Sequence, residues 1–203
     1  GSLADGIAIR ELAKRHGTPW FTSSALRFSP GILSFRGEHE KVGKVNGCEA
    51  WSPCSTEAHH PDLFWYGIHG CETLFTIMGP GIESVVRSHT PSTDLVVGTW
   101  KDGRIGTFRG LRGPGKAAFG ATVYGTKGIA PAGSFAGYQP LVIEIAKFFL
   151  TGKAPVDPDE SIEILAFMEA ADESKRRGGQ PVKISEVMKT AGEQAKSRLK
   201  DFE

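Results

Sequence analysis

Four short runs of strand-forming residues follow one another in the middle of the chain, and they constrain the fold more than any other feature. Turn-forming residues separate the runs, which cover residues 82–89, 94–100, 104–110 and 116–124. The Lys-Asp-Gly turn after the second run suits a hairpin, because Gly103 readily takes the positive φ that such turns need. Strands joined by tight turns pair antiparallel, since a parallel pair needs a long crossover connection. The runs therefore predict an antiparallel sheet.

Helical patterns lie on both sides of these strands. They cover residues 3–16, 61–78, 138–150, 159–177 and 185–199, and further strands are predicted at 19–22 and 45–51. This order predicts an α+β fold, an open and mainly antiparallel sheet with helices on one face. The other face would need a cover, and a second copy of the chain is the simplest one, so we expect a homo-oligomer through the open face.

The charge balance limits the classes of partner. Among 203 residues, 24 are Lys or Arg and 23 are Asp or Glu, which gives a formal net charge of +1. Nucleic acid is not expected as a partner, because no basic excess is available to neutralise phosphates. No apolar run reaches the roughly 20 residues of a membrane-spanning helix, so no membrane contact is expected either. Three cysteines make a poor disulfide framework and favour a reducing, cytoplasmic setting.

The helix predicted at 61–78 has two distinct faces. An apolar stripe at helical spacing predicts contact with the core, and it consists of Phe64, Ile68, Cys71, Phe75 and Met78. A second stripe with two flanking residues consists of Asp62, Tyr66, His69, Thr73 and Thr76, with Trp65 and Glu72 beside them. Aromatic rings with polar tips, a histidine and two acids are typical of the wall of a half-wet cleft.

His69 is the strongest candidate for a catalytic residue. Its unperturbed pKa of about 6.5 allows proton exchange at neutral pH. Glu72 follows three residues later and could hold one ring nitrogen, which would fix the tautomer. The competing interpretation is a buried histidine that only bonds a carbonyl group. Gly67 and Gly70 flank His69, and such small residues would let a neighbouring backbone or a ligand come close.

Three weaker candidates lie elsewhere. Residues of the types that bind zinc lie between positions 54 and 71, namely Cys54, His59, His60, Asp62, His69 and Cys71. Their spacing forms no Cys-x-x-Cys or His-x-x-x-His pair, so we expect no metal, and a metal-dependent hydrolase is the least favoured function. The segment 110–120 is rich in glycine and arginine but fits no Walker pattern, which favours a hairpin tip. Arg27 follows the first predicted strand, where α/β sheets present ligand contacts.

Several segments resemble one family, the Gfo/Idh/MocA oxidoreductases, which comprise glucose–fructose oxidoreductase, inositol dehydrogenase and their relatives. The opening helix and strand, through Arg-Phe-Ser-Pro at 27–30, resemble the end of the family's Rossmann domain. The stretch 66–72, Tyr-Gly-Ile-His-Gly-Cys-Glu, is similar to its Gly-x-His-x-x-Asp motif. The later segments 148–155, 169–174 and 181–182 are similar to its closing helices and strand. The resemblance covers nearly the whole chain.

The resemblance implies the C-terminal domain of an NAD(P)-dependent oxidoreductase acting on a hydroxyl-bearing small molecule, similar to a sugar or polyol. Residues 1–24 would be the terminal αβ unit of an otherwise absent dinucleotide-binding domain, and residues 25–203 would bind substrate and oligomerise. His69 would transfer the proton, and Glu72 would orient the imidazole of His69. The remaining implied substrate-binding residues are Trp65, Tyr66, Asp62, His60 and, at the domain junction, Arg27.

Two departures from the family pattern qualify the resemblance. The family commonly has an Asp four residues before the histidine, where this chain has Trp65. No Gly-x-Gly-x-x-Gly follows a strand, and no Glu-Lys-Pro occurs. NAD or NADP would therefore belong to the intact parent enzyme, and we expect these 203 residues alone to be inactive and to bind dinucleotide poorly. The alternative that Trp65 favours is a non-catalytic binding or scaffold domain of the same fold.

Overall fold

The computed structural model describes residues 1–113 and 118–200 of the chain. The described residues form α-helices at Leu3–Arg15 (α1), Pro30–Leu33 (α2), Ile68–Met78 (α3), Gln139–Thr151 (α4), Pro158–Arg176 (α5) and Ile184–Leu199 (α6). Their strands are Glu38–His39 (β1), Gly43–Pro53 (β2), Ile82–His89 (β3), Thr93–Trp100 (β4), Ile105–Leu111 (β5), Gly120–Gly125 (β6), Ile129–Pro131 (β7) and Val182–Lys183 (β8). Short 3-10 helices occur at Ala25–Phe28 and Asp62–Phe64.

The strands form one open sheet in the order β7-β6-β2-β5-β4-β3-β8, with β1 paired to β2. Every pair is antiparallel except β2 with β5. The predicted hairpin joins β4 to β5, and its Gly103 has a φ of +86°. The α+β fold with a mainly antiparallel sheet is therefore confirmed.

The parallel pairing of β2 with β5 is a feature that the sequence patterns do not predict. After β2 the chain leaves the sheet, crosses one of its faces as α3 and returns as β3. The meander β3-β4-β5 then brings β5 back beside β2, where Phe108 lies opposite Ala50. The hairpin patterns in the sequence predict only the meander β3-β4-β5. The crossover through α3 determines that β5 pairs with β2.

The core lies between the sheet and the helices α3 and α5, with α1 and α6 packed behind α5. The core contains an aromatic cluster, in which the ring of Phe75 lies 5.5 Å from that of Trp100 and 5.6 Å from that of Phe167. The Trp100 indole N–H donates to the Gly79 carbonyl at 2.9 Å, so this large ring is buried without an unpaired donor.

Two predicted elements differ from the structure. Residues 18–24 form no strand, although the residue pattern predicts one at 19–22. No described strand lies beside them, and an extended segment cannot satisfy its backbone groups by itself. The helix predicted from residue 61 begins at Ile68, since Asp62–Phe64 is a 3-10 turn and irregular residues follow it. The predicted strand 116–124 begins at Gly120, and residues 114–117 lie outside the described part.

The opening helix α1 is anchored to the rest of the chain. Leu3 is fully buried, and Gly6 faces the side chain of Leu165 on α5. An ion pair joins Asp5 to Arg198 on α6, and the Arg10 guanidinium lies 2.7 Å from Asp159. The division at residue 24 stays a prediction. Among the helices of the described ranges, none has the length and apolar character that crossing a membrane requires.

Candidate functional site

His69 lies in the first turn of α3, and its imidazole is half-buried at the side of a small cavity. Its Nδ1 lies 2.9 Å from the hydroxyl of Ser24. The ring of Tyr66 stands edge-on to it at 5.0 Å, and that of Phe119 at 6.0 Å. Burial lowers the pKa of His69 below its usual value, because the charged imidazolium is poorly solvated there. This burial favours the neutral imidazole of His69 at pH 7.

The cavity beside His69 has a volume of about 120 Å³ and a largely aromatic wall. The residues that line it are Ser24, Ala25, Leu26, Tyr66, His69, Phe119, Phe135 and Tyr138. Phe135 and Tyr138 pack edge to face at 5.2 Å, at the start of α4. None of these described lining residues carries a formal charge at neutral pH. The cavity thus offers ring faces, hydroxyl groups and one imidazole to a ligand.

Glu72 does not make the hydrogen bond to His69 that its spacing predicts. Its Oε1 instead accepts from the Arg27 guanidinium and, at 3.1 Å, from the Ser23 hydroxyl. Burial raises the pKa of Glu72, and the neighbouring Arg27 opposes that rise. Leaving the buried carboxylate of Glu72 without a cationic partner costs more free energy than leaving the half-buried, neutral imidazole of His69 without a hydrogen-bond partner. Glu72 therefore pairs with Arg27 and not with His69.

Arg27 lies beneath the site and is only 4% exposed. Its Nε donates to Glu72, and its Nη1 donates to Glu160 at 2.8 Å. Arg36 donates to the same Glu160 at 2.6 Å, which completes a four-residue network. Arg27 does not line the His69 cavity, and both carboxylates that it pairs with are the protein's own, so its contact with substrate stays a prediction.

The other predicted site residues lie outside the cavity wall. Asp62 accepts from Lys175 at 2.6 Å and from Arg87 at 3.0 Å. Trp65 is 45% exposed, and its ring packs against that of His60 at 4.6 Å. Of the residues predicted from the sequence, the structure brings His69 and Tyr66 together at the described cavity wall. The others lie elsewhere, namely Glu72, Arg27, Asp62, Trp65 and His60.

The residues that sequence reasoning missed are Ser24, Phe119, Phe135 and Tyr138. The sequence does offer a way to recognise Ser24, because a serine that precedes a helical turn often caps it. Its side chain does accept from the Leu26 N–H. The three rings come from loops far along the chain, and nothing local distinguishes them from core or surface aromatics.

The residues of zinc-binding type between positions 54 and 71 do not come together in the described part of the chain. Cys71 is fully buried in the core, and burial raises the pKa of its thiol. Within residues 1–113 and 118–200, no group of three or more His, Cys, Asp or Glu side chains could hold a metal ion. Arg112, from the glycine- and arginine-rich segment, forms an ion pair with Asp94, and residues 114–117 of that segment lie outside the described part.

A dinucleotide is usually held at a glycine-rich turn between a strand and a helix N-terminus. In the described chain, β2 leads through the long connection 54–67 to α3, and that connection lacks Gly-x-Gly-x-x-Gly. β7 leads through residues 132–138 to α4, and the glycines of that connection, Gly133 and Gly137, lack the Gly-x-Gly-x-x-Gly spacing. β8 runs into α6 without a loop. The described residues therefore do not fit a dinucleotide.

No protein-family model matches the chain, and no curated protein matches it. Solved structures do match at low sequence identity. GenD2 from gentamicin A biosynthesis, in complex with NAD, is 18% identical with a TM-score of 0.74, over 90% of this chain and 68% of that one. The chain therefore shares its fold with part of this NAD-bound protein.

Two further structures share this fold. An oxidoreductase from Agrobacterium radiobacter, in complex with NAD+, L-tartaric acid and magnesium, is 14% identical with a TM-score of 0.71, over 92% of this chain and 71% of that one. The scyllo-inositol dehydrogenase from Lactobacillus casei, with bound NAD(H) and scyllo-inositol, is 12% identical with a TM-score of 0.69, over 91% of this chain and 70% of that one.

Proposed function

We propose that this chain is the substrate-binding domain of an NAD(P)-dependent oxidoreductase that acts on an uncharged, hydroxyl-bearing ring, a polyol or a sugar. The observation that carries the proposal is the half-buried His69 beside a cavity walled by Tyr66, Phe119, Phe135 and Tyr138. The shared fold supports the reaction class. A dinucleotide-binding domain outside the described residues would hold NAD or NADP, and cytoplasmic location remains our expectation.

The lining chemistry supports an uncharged ligand. A phosphate or carboxylate group would lose its hydration in the cavity without a cationic partner on the described wall, which is costly. The faces of Phe119 and Tyr66 can pack against the C–H groups of a ring. His69 would then contact the reacting oxygen through Nε2, which no described residue bonds, while Nδ1 stays with Ser24.

The full-length product of the gene, assayed with NAD and NADP against neutral cyclic polyols and sugars, tests this proposal. We expect cofactor-dependent turnover that His69→Ala lowers about a hundredfold or more in kcat, as for removal of a group that exchanges a proton with substrate. His16→Ala is the matched control, because His16 is exposed at the end of α1 and should leave kcat unchanged.

Two results would contradict the proposal. One is the absence of turnover with either cofactor across the panel. The other is an unchanged kcat in His69→Ala. Turnover of phosphorylated or carboxylated rings in preference to neutral ones would retain the oxidoreductase but remove the proposed substrate class.

A binding-only domain of the same fold is the second candidate. The observation that favours it is the position of Trp65, which stands where the family commonly has an acid and packs against His60 instead. No described carboxylate faces His69 in its place. In that case the full-length protein should bind the neutral ring without turning it over.

The partner that we propose for the open sheet face is a second copy of the chain. That face carries a cross-strand row of Thr122, Glu49, Thr107, Val97 and Val86. Each of these residues is only half-buried by the described part of the chain. A twofold interface would pair this face with itself.

A further inference from the structure

A hydrogen bond with the backbone limits how the hydroxyl of Ser24 can bond to its other neighbours. Ser24 is the N-cap of the 3-10 helix Ala25–Phe28, and its Oγ accepts from the Leu26 N–H at 3.3 Å. A serine hydroxyl has one proton to donate and two lone pairs. The cap uses one lone pair, so the proton remains to be placed.

His69 is the partner that can take this proton. Its Nδ1 lies 2.9 Å from Oγ, and no other described group accepts from the Ser24 hydroxyl. A neutral imidazole has one bare nitrogen and one N–H. If Ser24 donates, Nδ1 is bare and the imidazole proton sits on Nε2. The reverse arrangement would leave the hydroxyl proton half-buried without an acceptor, which costs free energy.

We propose that Ser24 is a positioning residue that holds neutral His69 in the tautomer with Nε2 protonated, so that His69 meets the substrate oxygen as a hydrogen-bond donor. The substrate part of this statement rests on the proposed function, whereas the tautomer does not. In this form His69 polarises a carbonyl oxygen or stabilises an alkoxide, as a neutral imidazole can. Acting as a base toward a hydroxyl group would first require the imidazole to change tautomer.

The surroundings of the ring favour the same state. Tyr66 and Phe119 present their rings to the imidazole and supply no carboxylate that would stabilise an imidazolium. The nearest acid in sequence, Glu72, is occupied by Arg27 and Ser23. Burial lowers the pKa of His69, which keeps the ring neutral at the pH where the enzyme would work.

Nitrogen NMR of the histidine side chains in the 203-residue chain, without substrate or cofactor, tests the tautomer. At pH 7 we expect His69 to carry its proton on Nε2 with an excess of about tenfold, the size that one hydrogen bond of this kind supports. Ser24→Ala should reduce that excess to a mixture of both tautomers. Ser24→Thr retains a hydroxyl and should restore it.

Ser23→Ala is the matched control, because Ser23 bonds Glu72 and a carbonyl group but not the imidazole. It should leave the His69 spectrum unchanged. A wild-type ring protonated on Nδ1, or a Ser24→Ala variant with an undiminished Nε2 excess, would overturn the proposal. If Ser24→Ala does not fold, the wild-type spectrum and the Ser24→Thr variant decide it. Because the spectra are recorded without substrate, their outcome does not depend on the turnover assay.

Discussion

At the scale of single residues, two glycines set how closely α3 approaches its neighbours. A Cβ on Gly70 would lie 2.3 Å from the Phe108 ring and 2.8 Å from the Ser52 hydroxyl. A Cβ on Gly67 would lie 2.9 Å from the Leu63 carbonyl. The expected close approach of a backbone group is seen at Gly67, whereas the close neighbours of Gly70 are side chains of β2 and β5. This contact sets the position of His69 against the sheet.

Gly70→Ala should destabilise the fold, since neither the buried ring nor the strand behind it can move away freely. We expect a loss of about 1–3 kcal/mol in the free energy of unfolding, as for overpacked cores. Gly192→Ala in α6 is the control, because nothing lies within 4 Å of its Cβ position and alanine favours helix, by about 0.5–1 kcal/mol. Denaturant unfolding measures both, and equal effects from the two variants would contradict this account.

At the scale of elements, a buried charge cluster ties the loop before α3 to the sheet and to α5. Arg87 on β3 is its centre, with a side chain that is 0% exposed. It lies 2.6 Å from Asp172, 2.8 Å from Asp94 and 3.0 Å from Asp62. Three elements and the 3-10 turn at Asp62–Phe64 thus meet at one guanidinium. Because Asp62 belongs to the segment that leads to Tyr66 and His69, this cluster also supports the candidate site.

Arg87→Met should destabilise the chain strongly, because it leaves the buried carboxylate of Asp172 without the guanidinium that pairs with it. Asp62 and Asp94 would each lose one cation, with Lys175 remaining beside Asp62 and Arg112 beside Asp94. Removal of one partner from a buried ion pair costs about 3–5 kcal/mol. The control is Arg176→Ala, which breaks a largely exposed pair with Glu173 and should barely change the melting temperature. Thermal unfolding compares the two. A fall of similar size in both variants would show that burial of Arg87 does not matter.

At the scale of the whole molecule, two apolar surfaces lack a cover within the described chain. One is the sheet face opposite α3 and α5, where Ile105 and Tyr124 are exposed. The other is α4, none of whose residues is buried although Val142, Phe149 and Leu150 lie on it. A helix with one polar face, here that of Glu144 and Lys147, normally packs its apolar face against another surface. These exposed apolar side chains mark both surfaces as candidate interaction sites.

Ile105→Lys should weaken the proposed dimer, because it places a charge on the open face at the start of β5, the central strand of the sheet. Ile9→Lys on α1 is the matched control, since Ile9 is 53% exposed and Ile105 is 54% exposed. Light scattering over a range of concentrations measures the mass. We expect a wild-type dimer, a dimer for Ile9→Lys and a monomer for Ile105→Lys. A wild-type monomer at all concentrations would refute the proposed interface.

The local elements could be predicted because their causes lie within a few residues. Gly103 permits the β4–β5 turn, apolar spacing marks α3 from Ile68 onward, and Pro158 begins α5 where its missing N–H costs nothing. The prominence of His69 also follows from its own helix face. Helix bounds agreed to within one or two residues except at the start of α3, where the 3-10 helix Asp62–Phe64 and the irregular residues after it take the place of the first predicted turns.

The sequence by itself therefore determined the antiparallel meander, the flanking helices and one histidine worth testing. Only the tertiary structure decided that β5 lies parallel to β2, that Glu72 pairs with Arg27, and that Ser24 meets His69. It also gathered Phe119, Phe135 and Tyr138 from distant loops around that histidine. The physical reason is how far apart along the chain the interacting residues lie. Turns, caps and helical stripes depend on neighbours along the chain, whereas ion pairs, cavity walls and strand order depend on which surfaces pack together once the core has formed.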